Sequence, residues 1–463
     1  MSFWERLING FRAVLPSPFA IALLLTLLTF VLAFFLTRPP SEGISYALDL
    51  AVFWEQGLWN PPLLTFAMQM MLMLVLGHAL ALTEPFSKLI NKALVYCNTT
   101  SNAVVLIALL TMLVGFFNWG LGLIFGAIFA RKVGEHARNK GIKLNYPLIG
   151  AAGYSGMLVW HGGLSGSALV KVAEPGHLIN LMAGINGGQL SDMLPTAITF
   201  DQTVFSAMNL SVSAALLILI PAALWLVSRL MPVSSDTLPQ SVFEVESQDN
   251  IEAEGAEKLD FSRFFILSIG ILIMLVVLYK ARFFNSTGFS FITPDYINHV
   301  LLSLCLIFHK NLFKLMKALT EAMTGATGIL IQFPLYFGIM GIMNHSGLVV
   351  QMADFFIHIS NQTTYPLLTF ISAGLVNFFV PSGGGQWMVQ GPIVIQAAQA
   401  LDIDLSKSIL ALAYGDQVTN MLQPFWALPL LGITGLKAKD VLPYTALMMV
   451  VGSLIFVAAL LLF

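Results

Sequence analysis

The chain has 463 residues, 57% of them hydrophobic and only 10% charged, with a mean hydropathy of +0.82. A soluble domain carries roughly 25% charged residues to cover its surface, so a soluble enzyme and a disordered protein are excluded, and a net charge of −2 offers no basic footprint for nucleic acid. Two cysteines, Cys97 and Cys305, are too few for a disulfide framework or a metal cluster, which leaves an all-α integral membrane protein whose surroundings are the lipid bilayer.

A spanning helix needs ~20 mostly apolar residues. Such segments are predicted at 18–36, 61–82, 145–174, 207–230, 262–282, 294–310, 326–344, 406–434 and 440–462, about nine crossing helices. The amphipathic start, MSFWERLINGFRAVLPSP, leads into the first. No small-residue cleavage site follows it, only Thr37-Arg38-Pro39-Pro40, so it reads as a span and not a cleaved signal. The stretch 44–59 carries Asp49 and Glu55 and reads as interfacial. Lys and Arg resist translocation, so the run with Arg131, Lys132, Arg138, Lys140 and Lys143 is expected in the cytoplasm. The stretches free of Lys and Arg between Lys171 and Arg229, and between Lys317 and Lys407, are expected to hold the outside loops. Arg6 and Arg12 place the N-terminus inside, and nine crossings then place the C-terminus outside. Residues 231–261 hold eight acids and one base and read as a flexible cytoplasmic linker between halves 1–230 and 262–463.

The halves resemble each other. LVGFFNWGLG (113–122) and LVNFFVPSGG (375–384) share five of ten residues without a gap. Downstream, Ile149, Ala151 and Tyr154 correspond to Ile409, Ala411 and Tyr414. Upstream, Gly77-His78 corresponds to Asn344-His345, each followed by an amphipathic stretch (84–97 and 346–360). The charge pattern orients the halves oppositely, so an inverted-topology repeat is predicted, as secondary transporters use.

Two apolar stretches are interrupted midway: 100–132 at Asn118-Trp119-Gly120-Leu121-Gly122, and 364–399 at Pro381-Ser382-Gly383-Gly384-Gly385-Gln386. Irregular backbone at membrane depth must face protein or a polar cavity. The reading is two re-entrant hairpins entering from opposite faces, with tips whose backbone N–H groups suit a carboxylate; turns outside the membrane are the alternative. Each hairpin precedes a broken helix. In 145–174 the break is Trp160-His161-Gly162-Gly163-Leu164-Ser165-Gly166-Ser167; in 406–434 it runs from Tyr414 to Pro424. Asp416 is the one acid in the middle of a predicted span, a placement that costs ~2.5–3.5 kcal/mol on insertion scales and marks a functional candidate. It shares a helical face with Asn420 and Gln423. His161 is the second titratable candidate, suited to proton exchange or to a carboxylate, while His78 and His345 read as helix-end residues.

The runs FVPSGGGQWMVQGP (379–392), AYGDQVTNMLQPFWALP (413–429), HGGLSGS (161–167), LVNFF (375–379) and ILIQFPLYFGIM (329–340) closely resemble the bacterial short-chain fatty acid transporter family, of the AtoE type, over nearly the whole chain. The resemblance implies uptake of short-chain carboxylates such as acetoacetate or butyrate across the bacterial cytoplasmic (inner) membrane. More remotely, the family is similar to the two-hairpin elevator carriers of the ion-transporter superfamily, often homodimers. In those relatives Ser-Asn-Thr hairpin motifs hold sodium; here the tips read differently.

The expected site gathers both tips and both broken helices. Asn118, Gly120, Gly122, His161, Gly163, Ser165, Ser382, Gly383, Gly384, Gly385, Gln386, Thr419, Asn420 and Gln423 would hold the anion, and Asp416, with His161, would couple it to H⁺, or alternatively to Na⁺, with no other cofactor and no metal. The absence of Lys and Arg from predicted midplane segments favours a monocarboxylate. A carboxylate-permeable channel is the competing class. A membrane enzyme lacks any HExxH, nucleophile-elbow or P-loop pattern to support it.

Overall fold

The computed structural model describes residues 17–39, 43, 45–182, 194–230, 255–283, 293–348, 350–351, 355 and 358–463. Every regular element among them is helical. In chain order these are α1 (Pro18–Leu36), α2 (Ser45–Leu58), α3 (Pro61–Ala81), α4 (Glu84–Leu94), α5 (Thr100–Phe117), α6 (Trp119–Asn139), α7 (Tyr146–Ala152), a 3₁₀ turn at Ser155–Leu158, α8 (Ser167–Ala173), α9 (His177–Met182), α10 (Ala207–Leu230), α11 (Arg263–Phe283), α12 (Pro294–Phe308), α13 (Leu312–His345), α14 (Tyr365–Asn377), α15 (Gly383–Ala400), α16 (Leu405–Thr419), a 3₁₀ turn at Asn420–Leu422, α17 (Pro424–Thr434) and α18 (Ala438–Leu462).

Among the described residues six helices are long and apolar enough to cross a bilayer: α1, α3, α5, α10, α11 and α18; α12, α14 and α17 are apolar but shorter. Their outer faces carry large apolar side chains in the open, such as Leu27 and Phe35 on α1, Phe264 and Leu272 on α11, and Leu454 and Leu462 on α18. A surface of that kind suits hydrocarbon, where each helix satisfies its own backbone. The chain is thus a multi-pass membrane protein.

Several predicted segments take a different form. The span expected at 326–344 is the C-terminal part of the 34-residue α13, which passes Pro334 without ending. The arms around Asn118 are 18 and 21 residues long. The second outlasts its apolar stretch because Arg131 Nε and Lys132 Nζ each lie 2.9 Å from the Glu135 carboxylate, giving the polar end intrahelical pairs. The stretch 44–59 forms the 14-residue α2, which packs tightly on α13: a Cβ on Gly57 would lie 2.9 Å from Gly341 Cα and 3.0 Å from Gly338 Cα. Most of the acidic linker, 231–254, lies outside the described residues, as do 1–16 and part of 346–360; residues 255–259 form an exposed 3₁₀ turn.

Two packing groups frame the site. In one, α5 lies against α6, α7 and α10; in the other, α13 lies against α2, α3 and α17, while α14 pairs with α16. Both predicted breaks are present. The first is the irregular run between the 3₁₀ turn at 155–158 and α8; the second is the 3₁₀ turn at 420–422, stopped by Pro424 at the start of α17.

Candidate functional site

The predicted tips are short interruptions, the single residue Asn118 and the five residues 378–382, each closed by its own cap. Asn118 ends α5 and starts α6 in an extended conformation, and its Oδ1 accepts from Leu121 N at 2.9 Å. Ser382 does the same for α15, accepting from Gly385 N at 3.2 Å. The positive ends of α6 and α15 therefore both start at the tips.

The run 160–167 lies between the two tips. Ser165 Oγ accepts from Trp119 N at 2.9 Å on the first side, and Leu164 N donates to Phe116 O at 2.8 Å. On the second side, Gly383 sits so close that a Cβ would lie 2.7 Å from Trp160 Cη2 and 2.9 Å from both Asp416 Oδ2 and His161 Cε1. Glycine is required there by space. Gly384 is roomier, with Ser167 Cβ 3.9 Å from a Cβ position.

At this junction His161 Nδ1 stands 2.6 Å from Asp416 Oδ2, and both residues are out of contact with solvent. The approach is close but oblique, so neither atom has an aligned hydrogen bond. The other ring nitrogen is defined: Ala168 N donates to His161 Nε2 at 3.1 Å. Nε2 therefore keeps its lone pair, and the neutral imidazole holds its proton on Nδ1, facing the carboxylate.

The pair is held from several sides. Gln417 Oε1 accepts from His161 N (2.9 Å) and Gly162 N (3.2 Å). Asn209 Nδ2 donates to Gly162 O (2.8 Å), and Tyr414 Oη donates to Asn209 Oδ1 (3.0 Å). On α14, Asn377 Nδ2 reaches Asp416 O (2.9 Å), Thr419 Oγ1 (3.0 Å) and Asn420 Oδ1 (2.7 Å). Gln423 Nε2 donates to Asn377 O at 3.0 Å, and Gln386 Nε2 to Ala373 O at 2.8 Å.

Around the junction the buried atoms left without a hydrogen-bond partner are of both kinds. Both Asp416 oxygens, Asn377 Oδ1, Gln386 Oε1 and Gln423 Oε1 are acceptors; His161 Nδ1, Asn420 Nδ2, Trp160 Nε1 and Trp426 Nε1 are donors. Most buried polar atoms in folded proteins are paired. A cluster of open acceptors around a carboxylate is chemically suited to a proton or a small cation, and helix N-termini beside it are suited to an anion.

The predicted residues thus converge, with different tasks. His161, Gly383, Asp416, Thr419, Asn420 and Gln423 belong to one connected network. Gln386 is wholly buried one turn into α15. Asn118, Ser165, Ser382 and Gly385 build the tips. Gly120, Gly122 and Gly163 each face protein: an added Cβ would lie 2.5 Å from Met73 Sδ at the first, 2.5 Å from Gly115 Cα at the second, and against the Phe116 carbonyl at the third. Sequence reasoning missed Asn209, Asn377, Gln417 and Trp160 as members. Asn377 lay within LVNFF and Gln417 beside Asp416, so a search for every polar residue in the breaks would have found those two; Asn209, on α10, carries no local signal.

The architecture is that of a polytopic helical membrane protein with a buried polar junction between interrupted helices. Residues 4–463 match the family described as short chain fatty acid transporter. A protein of Escherichia coli (strain K12) that bears the name "Putative short-chain fatty acid transporter" is 40% identical over 455 residues, covering 97% of this chain and 96% of that one. One of Haemophilus influenzae (strain Rd), with the same name, is 36% identical over 455 residues, covering 96% of each. The chain belongs to the short chain fatty acid transporter family, a family of transporters and not of enzymes. Among solved structures, the Alcanivorax borkumensis YdaH transporter aligns over 96% of this chain and 98% of its own at 16% identity and a TM-score of 0.41. Neisseria gonorrhoeae MtrF aligns over 98% and 97% at 13% identity and a TM-score of 0.38.

Proposed function

We propose that this protein is a secondary-active carrier that takes up short-chain monocarboxylates of the acetoacetate and butyrate type, coupled to H⁺, across the bacterial cytoplasmic membrane. The observation that carries this reading is the fully buried His161–Asp416 pair under Gly383, at the N-terminus of α15. A carboxylate substrate brings one negative charge to a place that already holds Asp416. Two carboxylates in a water-poor site repel strongly, so the anion enters favourably with a proton on the pair. Once the anion leaves, the proton has lost its counter-charge and follows. The named partners of the site include no Lys or Arg, which suits one carboxylate better than two.

Re-entrant tips, halves 1–230 and 262–463 of inverted topology and a cytoplasmic N-terminus belong to the same proposal. So does a homodimer, by family analogy. Sodium in place of H⁺ is the second reading, favoured by the open oxygens of Asp416, Asn377 and Gln423, which share one hydrogen-bonded network. Uptake of labelled butyrate and acetoacetate into proteoliposomes, with pH and sodium gradients imposed separately, tests the coupling. Accumulation driven by the pH gradient alone is expected; accumulation that needs the sodium gradient overturns proton coupling. Counterflow separates a carrier from a channel: unlabelled butyrate inside should accelerate labelled uptake, and a pore would show no acceleration.

A further inference from the structure

Three indoles meet beside the His161–Asp416 pair, one from each interrupted element except α15. Trp119 stands at the first tip, Trp160 precedes His161, and Trp426 opens α17. Trp119 lies edge-on to Trp160 (centroids 6.0 Å) and to Trp426 (5.1 Å), and Trp160 is 6.4 Å from Trp426. Trp160 also stacks on His161 at 4.4 Å and 19°. Phe66 on α3 closes the group, 6.1 Å from both Trp119 and Trp426.

An ordinary core would explain the rings but not their polar edges. Trp160 and Trp426 are each 3% exposed, and the indole N–H of each has no hydrogen-bond partner. Buried indoles ordinarily find an acceptor. Two buried donors without acceptors, next to a junction argued above to receive an anion, point to a ligand oxygen. The half-buried Trp119 and Phe66 offer the apolar faces. Behind them further rings follow, Phe333 with its centroid 6.3 Å from that of Phe66 and Phe425 stacked on Phe333 at 3.8 Å, so an alkyl chain directed this way meets aromatic side chains.

We infer that Trp119, Trp160 and Trp426, with Phe66, form the wall that receives the alkyl chain of the substrate and limits its length, while the Trp160 and Trp426 N–H groups donate to substrate oxygen. The inference rests on the carboxylate-carrier reading and adds the residues that set its specificity.

The test uses the full chain in proteoliposomes and compares uptake of butyrate, hexanoate and octanoate. Wild-type protein should prefer butyrate. Trp119→Leu, which shortens the wall, should raise the hexanoate-to-butyrate ratio about tenfold, since one or two methylenes in an apolar pocket discriminate ~10–200-fold; Trp119→Phe should raise it less. An unchanged ratio in a variant that still transports overturns the wall but leaves the carrier reading intact. A wild-type protein that moves none of the three overturns both. Should Trp119→Leu fail to insert, wild-type protein provides the second readout. Its tryptophan emission should be quenched saturably by 4-bromobutyrate, reversed by butyrate and weakened in Trp426→Phe. Absence of saturable quenching in protein that transports butyrate overturns the inference.

Discussion

His161 Nδ1 lies 2.6 Å from Asp416 Oδ2, bringing the first broken helix onto the second in the interior of the protein. The Ala168 N–H on Nε2 gives this contact its direction, because it reserves the other nitrogen for the proton. His161→Gln can still accept from Ala168 N but cannot take up a proton. Removing the imidazole from beside a buried carboxylate leaves that oxygen uncompensated, at a cost of about 1–3 kcal/mol, so uptake should fall roughly five- to hundred-fold, with a flatter pH profile than wild type. Full uptake with an unchanged profile would leave His161 a packing residue only.

Tyr414 supports the pair at one remove. Its hydroxyl donates to Asn209 Oδ1, and Asn209 holds the Gly162 carbonyl. Tyr414→Phe leaves that buried oxygen without a donor, at a cost of about 1–3 kcal/mol. Thermal unfolding in detergent should show a lower midpoint, and an unchanged midpoint would mean Asn209 finds another donor.

Two glycines should respond oppositely to one methyl group. A Cβ on Gly415 would run into the Phe370 carbonyl, where α16 crosses α14, and neither backbone can yield cheaply. Gly415→Ala should therefore give little folded protein by size-exclusion chromatography. At Gly384 the nearest neighbour of a Cβ is Ser167 Cβ, 3.9 Å away, so Gly384→Ala should elute like wild type. Equal yields from the two variants would contradict the packing described at the α14–α16 crossing.

His177, outside the predicted spans, makes a contact with its own pH dependence. Trp387 Nε1 donates to His177 Nε2 at 2.9 Å, joining α9 to α15. Burial pushes the His177 imidazole below its ordinary value of 6.5, with Glu174 opposing and Lys171 adding to the shift. A protonated Nε2 cannot accept from the indole. Since the folded form takes up this proton less readily than the unfolded one, the contribution is present above pH 6.5 and falls away as pH drops from there through the folded pKa. Near-UV circular dichroism of wild-type protein should change over that window, and the change should vanish in Trp387→Phe. Persistence of the change in that variant would assign it elsewhere.

Much of this was legible from residue order alone, for a physical reason. Broken helices need glycine, proline or a capping residue, and those stand out in an apolar chain: Asn118, Ser382, the 161–167 run and Pro424 all mark real interruptions. Asp416 was conspicuous because a carboxylate in an apolar span is costly. Partnership was not legible. Nothing in the order of residues says that His161 faces Asp416, that Asn377 gathers Thr419 and Asn420, or that Asn209 on α10 braces Gly162, since each depends on how distant helices cross. The glycines at 120, 122 and 163 looked like open backbone, yet close packing is what requires their lack of a side chain.

The central claim is that Asp416 carries the proton that accompanies the anion. Asp416→Asn keeps the shape and removes the titration, so it should still exchange labelled for unlabelled butyrate across proteoliposomes while losing accumulation driven by a pH gradient. Undiminished pH-driven accumulation in Asp416→Asn would contradict the account.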